Sequence, residues 1–228
     1  MSRHRPSRAR LVVLLAACAL AGVAALSGPN SAMAASKACP TSGSTVAQNQ
    51  LVRVYTPPNS GETDPVYACR FKTGKPFKLD ATKGPECQNA RRIGQTVLAG
   101  TMIAFQVTQC ELETAFDHLS VWNAKKRKQI VNVANVADGP DPPAGVTTDG
   151  FTDLESLVLS TTGAVAWIGR GGFNDKSTTD LLEVHRIPAG GKDAVLDSGA
   201  DVVGDSLALA RKGTLYWTKG SVVRSGRL

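Results

Sequence analysis

Short apolar runs recur along most of the chain, and each is bounded by glycine, proline, aspartate or asparagine. The runs are rich in Val, Ile, Leu, Thr and aromatic residues, and after residue 35 no stretch keeps the periodicity of an amphipathic helix. Runs of this length and composition, separated by turn residues, are typical of β-strands. The pattern therefore predicts an all-β protein.

The runs recur in the same order, as units of up to four strands. The clearest unit has its runs at 157–160, 165–169, 182–187 and 194–197. Three similar units have their runs at 45–48, 51–56, 66–71 and 77–80, then at 96–99, 102–108, 119–123 and 130–133, and then at 206–210, 215–218 and 222–228. The four repeats so defined cover approximately 44–82, 93–137, 153–199 and 204–228.

An aromatic residue ends the second run of every unit, namely Tyr55, Phe105, Trp167 and Trp217, at spacings of 50, 62 and 50 residues. The longer spacing contains a Pro-rich insert at 138–150. A period near 50 with about four strands per unit is typical of β-propeller blades. We therefore predict a four-repeat β-propeller-like domain, with a β-sandwich of hairpins as the alternative. In a closed ring, a strand from the N-terminal part of the domain would complete the fourth unit.

Several segments of the repeats resemble a known group of proteins. They are Leu-Val-Leu-Ser at 157–160, Gly-Ala-Val-Ala-Trp-Ile at 163–168, Leu-Asp-Ser-Gly at 196–199, Ser-Leu at 206–207 and Leu-Tyr-Trp at 215–217. This pattern is similar to uncharacterised secreted actinobacterial proteins with β-propeller-like repeats of the WD40 or TolB kind. The resemblance covers most of residues 35–228. It implies a propeller-like fold and export, and it implies no catalytic residues.

The first 34 residues have the organisation of a secretory signal peptide. Four arginines precede an apolar run at 11–26, and Ala32-Met33-Ala34 matches an A-x-A cleavage pattern. The apolar run has 16 residues, fewer than the roughly 20 that span a bilayer. We expect a secreted single domain at 35–228 with no membrane span after processing. The alternative is a lipoprotein anchored at Cys18, which is less favoured because apolar residues continue after Cys18.

Four cysteines remain after residue 34, and an even number in an exported chain favours disulfides. In each repeat the first run starts, and the second ends, at the same edge of their hairpin. This placement predicts the pairs Cys39–Cys69 and Cys87–Cys110. The chain has no C-x-x-C motif and only two histidines after residue 34, so we expect neither a metal site nor a cofactor.

Four motifs contain residues that could carry chemistry, but structural roles are favoured for all of them. Gly204-Asp205-Ser206-Leu207 matches a short esterase motif, but no acidic residue or histidine follows Ser206. The glycine-rich segment 169–172 lacks the strand-to-helix setting of a phosphate loop. His118 lies beside Asp117 and near Glu111 and Glu113, where an acid–base group is conceivable, but a position at a strand entrance is favoured. His185 is expected to be a sheet-face residue.

For the acidic residues and the tryptophans, too, a functional role and a structural role are both possible from the sequence. Asp138, Asp141, Asp149, Asp153 and Glu155 surround the Pro-rich insert. A solvated loop is favoured over a Ca²⁺ site. Trp167 and Trp217 occupy matching repeat positions and are expected in the core rather than in a sugar-stacking row, whereas the position of Trp122 is less determined.

Charge is distributed in blocks along the chain. Without the first 34 residues, 22 basic and 19 acidic residues give a net charge of +3. Residues 119–137 and 206–228 contain bases and no acids, whereas 138–205 contains twelve acids and four bases. The bases of the first block form one predicted turn: Lys125, Lys126, Arg127 and Lys128. Such a turn is either a solvated turn that resists aggregation or a contact for a polyanion.

These observations favour a secreted, non-catalytic binding or cell-envelope-associated module. Its expected partner is an anionic cell-envelope polymer or another envelope protein. Nucleic acid is not expected, because no aromatic residues are interleaved with the basic turn. The alternative function is a secreted hydrolase or lyase that uses the acidic loops.

Overall fold

The computed structural model describes residues 38–58, 63–83, 90–111, 114–140, 150–173 and 179–228. Within these ranges the chain forms fifteen β-strands and one short 3-10 turn at Arg211–Gly213, and it contains no α-helix. The all-β prediction is confirmed. No helix in the same ranges is long and apolar enough to cross a membrane.

The strands form four strand groups, numbered in chain order. Group 1 has β1 (Ser44–Gln48), β2 (Val52–Thr56), β3 (Thr63–Arg70) and β4 (Pro76–Lys83). Group 2 has β5 (Arg91–Ala99), β6 (Met102–Glu111), β7 (Thr114–Asn123) and β8 (Lys128–Val133). Group 3 has β9 (Gly150–Leu159), β10 (Val165–Phe173), β11 (Leu181–Ile187) and β12 (Ala194–Gly199). Group 4 has β13 (Ala208–Leu209), β14 (Thr214–Lys219) and β15 (Val222–Arg227).

Every predicted run overlaps one strand, but several strands start earlier than their runs. The strands β5, β7 and β9 begin five to seven residues before the predicted runs. Their early parts mix polar and apolar side chains, and the pairing of β5 with β6 is interrupted by an irregularity between Ile93 and Thr96. A prediction from apolar runs does not detect the parts of a paired strand that contain polar residues. The runs therefore predict where the strands lie but not how far they extend.

Each strand pairs antiparallel with the next strand of its own group. Groups 1 and 2 join at the pair Lys83 and Arg91, and groups 2 and 3 join at the parallel pair Phe116 and Thr152. Group 4 is a separate three-stranded sheet. Among the described residues the sheets close into neither a barrel nor a propeller. The strand β1 pairs with β2 and does not complete group 4, as closure would require.

Three apolar clusters lie between successive groups. Groups 1 and 2 share a cluster around Val54, Val66 and Phe105. Groups 2 and 3 share a cluster around Leu119, Val121 and Trp167, and groups 3 and 4 share a cluster around Ile168, Leu215 and Trp217. Trp167 is fully buried and Trp217 is 5% exposed, which confirms the predicted core positions of both residues. Trp122 is partly buried against the first cluster.

The strand β10 of group 3 is buried on both faces because it lies between two clusters. On β10, Val165 and Trp167 contribute to the cluster with group 2, whereas Ala166 and Ile168 contribute to the cluster with group 4. Successive side chains of a strand point to opposite faces of the sheet. A strand covered on both sides therefore has a continuous apolar run instead of alternation, as residues 164–168 do.

A disulfide holds the N-terminal segment against group 1. Cys39 and Cys69 are bonded, with their Cα atoms 5.7 Å apart, which confirms this predicted pair. Beside it, buried Arg53 donates hydrogen bonds to the carbonyl oxygens of Pro40 and Gly43, and its guanidinium lies 4.9 Å from the centre of the Tyr55 ring. Cys110 is also disulfide-bonded, whereas Cys87 lies outside the described residues, so the second pairing stays a prediction.

Candidate functional site

The basic turn between β7 and β8 has a fixed backbone. The side-chain oxygen of Asn123 accepts hydrogen bonds from the backbone N–H groups of Lys125, at 3.0 Å, and of Lys126, at 3.1 Å. The carbonyl of Asn123 accepts a second bond from the Lys126 N–H. Asparagine stabilises turns in this way because its short amide reaches the backbone two or three residues later. Arg127 completes the turn with a φ of +53°.

All four basic side chains of this turn are exposed. No ion pair or hydrogen bond joins any of them to another described side chain. Like charges this close repel one another unless salt or an anion screens them. The turn therefore presents four unpaired cations on a hydrogen-bonded backbone.

A groove of about 410 Å³ lies next to the turn. Its floor and walls come from both group 2 and group 3: Met102, Asn123, Lys126, Lys128, Gln129, Ile130, Val131, Thr162, Gly163 and Gly190. No carboxylate is among these described lining residues. The two lysines, one hydroxyl and two amide side chains therefore give the groove a positive and hydrogen-bonding character.

Gly163 allows the two groups to approach at this groove. Its φ is +91°, a left-handed conformation that favours glycine. A Cβ atom at this position would lie 2.7 Å from Cδ1 of Ile130. The turn between β9 and β10 therefore packs directly against β8, and it brings Thr162 beside the lysines.

His118 lines a different cleft, of about 230 Å³, with Gln109, Phe116 and Asn135. Burial lowers the pKa of its imidazole, and the nearby positive charge of Arg91 lowers the pKa further. Its neighbour Asp117 points to the opposite face of β7, and the Asp117 side chain is buried there, with 1% exposure. The two residues that an acid–base pair would combine are therefore separated by the sheet; of the neighbouring glutamates, Glu113 lies outside the described residues.

Asp117 joins groups 2 and 3. Its carboxylate accepts hydrogen bonds from the Thr108 hydroxyl, at 2.6 Å, and from the backbone N–H of Leu154, also at 2.6 Å. Its own backbone N–H donates to the Thr152 hydroxyl at 3.0 Å. This position follows the single parallel pair between the groups, so Asp117 has a structural role that the sequence did not predict.

His185 lies on β11 and is 4% exposed. Its ring stacks on Trp167 at 4.8 Å, with 6° between the planes. Nδ1 lies 3.2 Å from the Asp193 carboxylate and Nε2 lies 3.3 Å from that of Glu183, which also accepts the Asp138 N–H. These contacts join β10, β11 and the turn that follows β11. The residue belongs to the sheet face, as predicted, and is buried within it.

Arg170 pairs with Asp153 and Glu155, two of the acidic residues near the insert, and with Asp180. Asp153 lies 2.5 Å from Nη2, Glu155 lies 2.8 Å from Nε and Asp180 lies 3.4 Å from Nη1. Asp138 is exposed, and Asp141 and Asp149 lie outside the described residues. Among the described residues no three or more Asp, Glu, His or Cys side chains are placed to hold a metal ion.

Two motifs considered for chemistry have structural roles. The Ser206 hydroxyl donates to the Val203 carbonyl at 2.6 Å and accepts the Thr218 N–H at 2.9 Å, so it fixes the entrance to group 4. In the glycine-rich segment, a Cβ at Gly169 would lie 2.0 Å from the Val136 carbonyl oxygen. The glycine allows this close backbone approach, next to the hydrogen bond from Trp167 Nε1 to the same oxygen at 2.7 Å.

The four basic residues predicted to contact a polyanion lie beside this groove, and two of them line it. The groove itself was not predicted from the sequence. Its far wall comes from Thr162, Gly163 and Gly190, which follow the basic turn by more than 30 residues. The matching order of the repeats was the one available signal, because it places the turns of neighbouring units at the same edge. Comparison with protein-family models, with curated proteins and with solved structures finds no match.

Proposed function

We propose that this protein is a secreted, non-catalytic module that binds an anionic polymer through the basic turn and the adjacent groove. The observation that carries the proposal is that a hydrogen-bonded turn presents four unpaired cations beside a groove that no described carboxylate lines. Three of the four are lysines, whose ammonium groups act as point charges and can contact phosphate or carboxylate groups without a fixed geometry. The natural source would be a phosphate- or carboxylate-bearing polymer of the cell envelope.

The proposal includes a propeller-like arrangement of the four strand groups, which two observations support. The first strands of successive groups contact one another, in the pairs β1 with β5, β5 with β9 and β9 with β13. The Gln95 side-chain amide of β5, for example, donates to the Leu154 carbonyl of β9 at 3.1 Å. The four groups have three separate core clusters between them, whereas the two sheets of a sandwich enclose one core layer. This difference favours the propeller-like arrangement.

Export is part of the same proposal. The disulfide between Cys39 and Cys69 is of the kind that persists in oxidising compartments. Together with the arginines, the short apolar run and the A-x-A pattern at the start of the chain, it supports secretion.

The test uses two defined polyanions, polyphosphate and polygalacturonate, with neutral dextran as the third probe. Binding to at least one polyanion should weaken by about ten- to hundred-fold between 50 and 200 mM salt, because each contact releases counterions. The test variant is Lys125→Ser, Lys126→Ser, Arg127→Asn and Lys128→Ser. Asparagine is used at position 127 because it tolerates the positive φ.

The matched control removes four charges elsewhere: Lys72→Ser, Lys75→Ser, Lys78→Ser and Lys83→Ser, all at exposed positions of group 1. Both variants lose the same net charge, and both should unfold within about 0.5 kcal/mol of the wild type. The first should lose most of the binding and the second should keep it. Equal losses in the two variants would mean that net charge alone causes binding, and the assignment of the site would be wrong.

A further inference from the structure

Among the described residues, group 4 has three strands, whereas each of the other groups has four. In groups 1, 2 and 3, the third strand is paired on its far side with β4, β8 or β12. In the described residues β15 pairs with β14 alone. Every residue of β15 except Gly226 is exposed, whereas β7 and β11 are mostly buried or half-buried.

The hairpin geometry shows which backbone groups of β15 face outward. Lys219 pairs with Val222 across the two-residue loop Gly220-Ser221, and Gly220 has a φ of +56°. A two-residue loop is flanked by a hydrogen-bonded pair, after which hydrogen-bonded and non-hydrogen-bonded pairs alternate. The N–H and C=O groups of Val223 and Ser225 therefore point away from β14.

Two contacts agree with this assignment. The Leu228 N–H donates to the Gly213 carbonyl, as expected for the even-numbered residues of this strand. The Arg227 carbonyl accepts a hydrogen bond from Arg186, so it points away from β14. The outward groups of Val223 and Ser225 are left as an open edge with four hydrogen-bonding positions.

The side chains around this edge are apolar or positive. Val222 is 52% exposed and Val223 is 67% exposed. Arg224 and Arg227 are exposed, and neither side chain makes an ion pair with a described residue. Residues 206–228 contain five bases and no acid. A strand that pairs here would meet exposed valines and unpaired guanidinium groups.

We propose that the β15 edge binds an extended acidic segment of a partner protein by β-strand addition. The segment would occupy the position that the fourth strand has in the other groups. Its backbone would bond to Val223 and Ser225, and its carboxylates would pair with Arg224 and Arg227. A second copy of β15 is a poorer partner, since it would bring four arginines together along one seam. This site is separate from the basic turn and does not depend on the polymer-binding proposal.

The test uses the synthetic peptide Glu-Glu-Val-Val-Glu-Glu-Val-Val, labelled for fluorescence anisotropy. As a strand it carries glutamates on both faces, which is required because Arg224 and Arg227 lie on opposite faces of β15. We expect saturable binding at low salt, with NMR shifts of the amide signals of Val223 and Ser225. The same peptide with every backbone nitrogen methylated, which removes the N–H groups of both edges, should bind at least ten-fold more weakly. A peptide with lysine in place of glutamate should also bind at least ten-fold more weakly. The variant Arg224→Ser with Arg227→Ser should bind about five- to ten-fold more weakly.

Ser225→Pro blocks the edge without removing a bond to β14, because the Ser225 N–H faces outward. This variant should keep the thermal midpoint and lose the peptide. If it does not fold, Val223→Glu, which places a negative charge against the glutamates of the peptide at the same edge, is used instead. Binding that survives either folded variant, or equal binding of the methylated peptide, would overturn the proposal. Self-association of the protein through β15 would also overturn it in favour of a second copy as the partner.

Discussion

Successive side chains of β7 lie in two different environments. Asp117 faces group 3 and accepts hydrogen bonds from a hydroxyl and a backbone N–H. His118 faces the other way, into a half-buried cleft near Arg91. An isolated sequence cannot separate these roles, because two adjacent polar residues at a strand entrance resemble an exposed loop or an acid–base pair equally well.

The pKa of His118 should lie below its ordinary value of 6.5, first because burial disfavours the charged imidazolium and second because Arg91 repels it. The unfolded chain then binds a proton at a higher pH than the folded protein does. Stability should therefore decrease as the pH falls through about 6.5, and His118→Gln should remove this part of the decrease.

Histidine ring signals followed by NMR between pH 4 and 8 measure this pKa directly. The variant Arg91→Gln should move it upward, toward 6.5, since one of the two causes is removed. A His118 pKa above 6.5 in the wild type would contradict the assignment of its surroundings.

At the scale of strands, one carboxylate of β12 forms polar contacts with group 4, beside the apolar cluster that groups 3 and 4 share. Asp197 accepts hydrogen bonds from Nε1 of Trp217, at 2.9 Å, and from Nζ of Lys219, at 3.0 Å. Burial by itself raises the pKa of Asp197, but the bonds to Trp217 and Lys219 outweigh it and lower the pKa below the usual 3.8. Both donors lie on β14, so this contact crosses between two separate sheets.

The carboxylate of Asp197 stays charged to a lower pH in the folded state than in the unfolded state. The stability that it contributes should therefore be present at neutral pH and lost as the pH falls through and below about 3.8. Asp197→Asn should therefore be most destabilising near pH 7, and its difference from the wild type should shrink near pH 3. Urea unfolding at a series of pH values measures this. Asp201→Asn is the control, since that carboxylate is 59% exposed and 3.9 Å from the same Nζ.

Strand positions could be predicted from the sequence, whereas contacts between strand groups could not. Apolar runs such as 165–169 mark β10 because burial on both faces requires them. The junctions depend on polar residues, such as Asp117 and Asp197, whose partners lie in other groups. The basic turn could be predicted because it is contiguous, but its groove needs Gly163, and the sequence gives no sign that this glycine faces β8.

At the scale of the whole molecule, processing should leave a soluble chain that starts near Ala35. The A-x-A pattern requires small residues at positions 32 and 34. Ala32→Leu with Ala34→Leu should therefore prevent cleavage, and Cys18→Ala should leave the secreted product unchanged. N-terminal sequencing of the exported protein decides this. A lipid-blocked product that starts at Cys18 would show that the chain is a lipoprotein.

The disulfides determine how the N-terminal segment is held. The Cys39–Cys69 bond closes a sequence separation of 30 residues. A loop of this length restricts the unfolded chain enough to contribute about 3–4 kcal/mol on the chain-entropy estimate. Cys39→Ser with Cys69→Ser should therefore lower the free energy of unfolding by about that amount, and urea unfolding measures the loss.

The same change should release the segment from Pro40 to Gly43, so that the guanidinium of Arg53 loses its carbonyl partners and group 1 becomes sensitive to proteolysis. A buried guanidinium without partners adds to the cost, because its charge is no longer compensated. Non-reducing peptide mapping of the wild type should return Cys39 with Cys69 and Cys87 with Cys110. A link between Cys69 and Cys87 would contradict both the bond in group 1 and the alignment of the repeats from which the second pair was predicted.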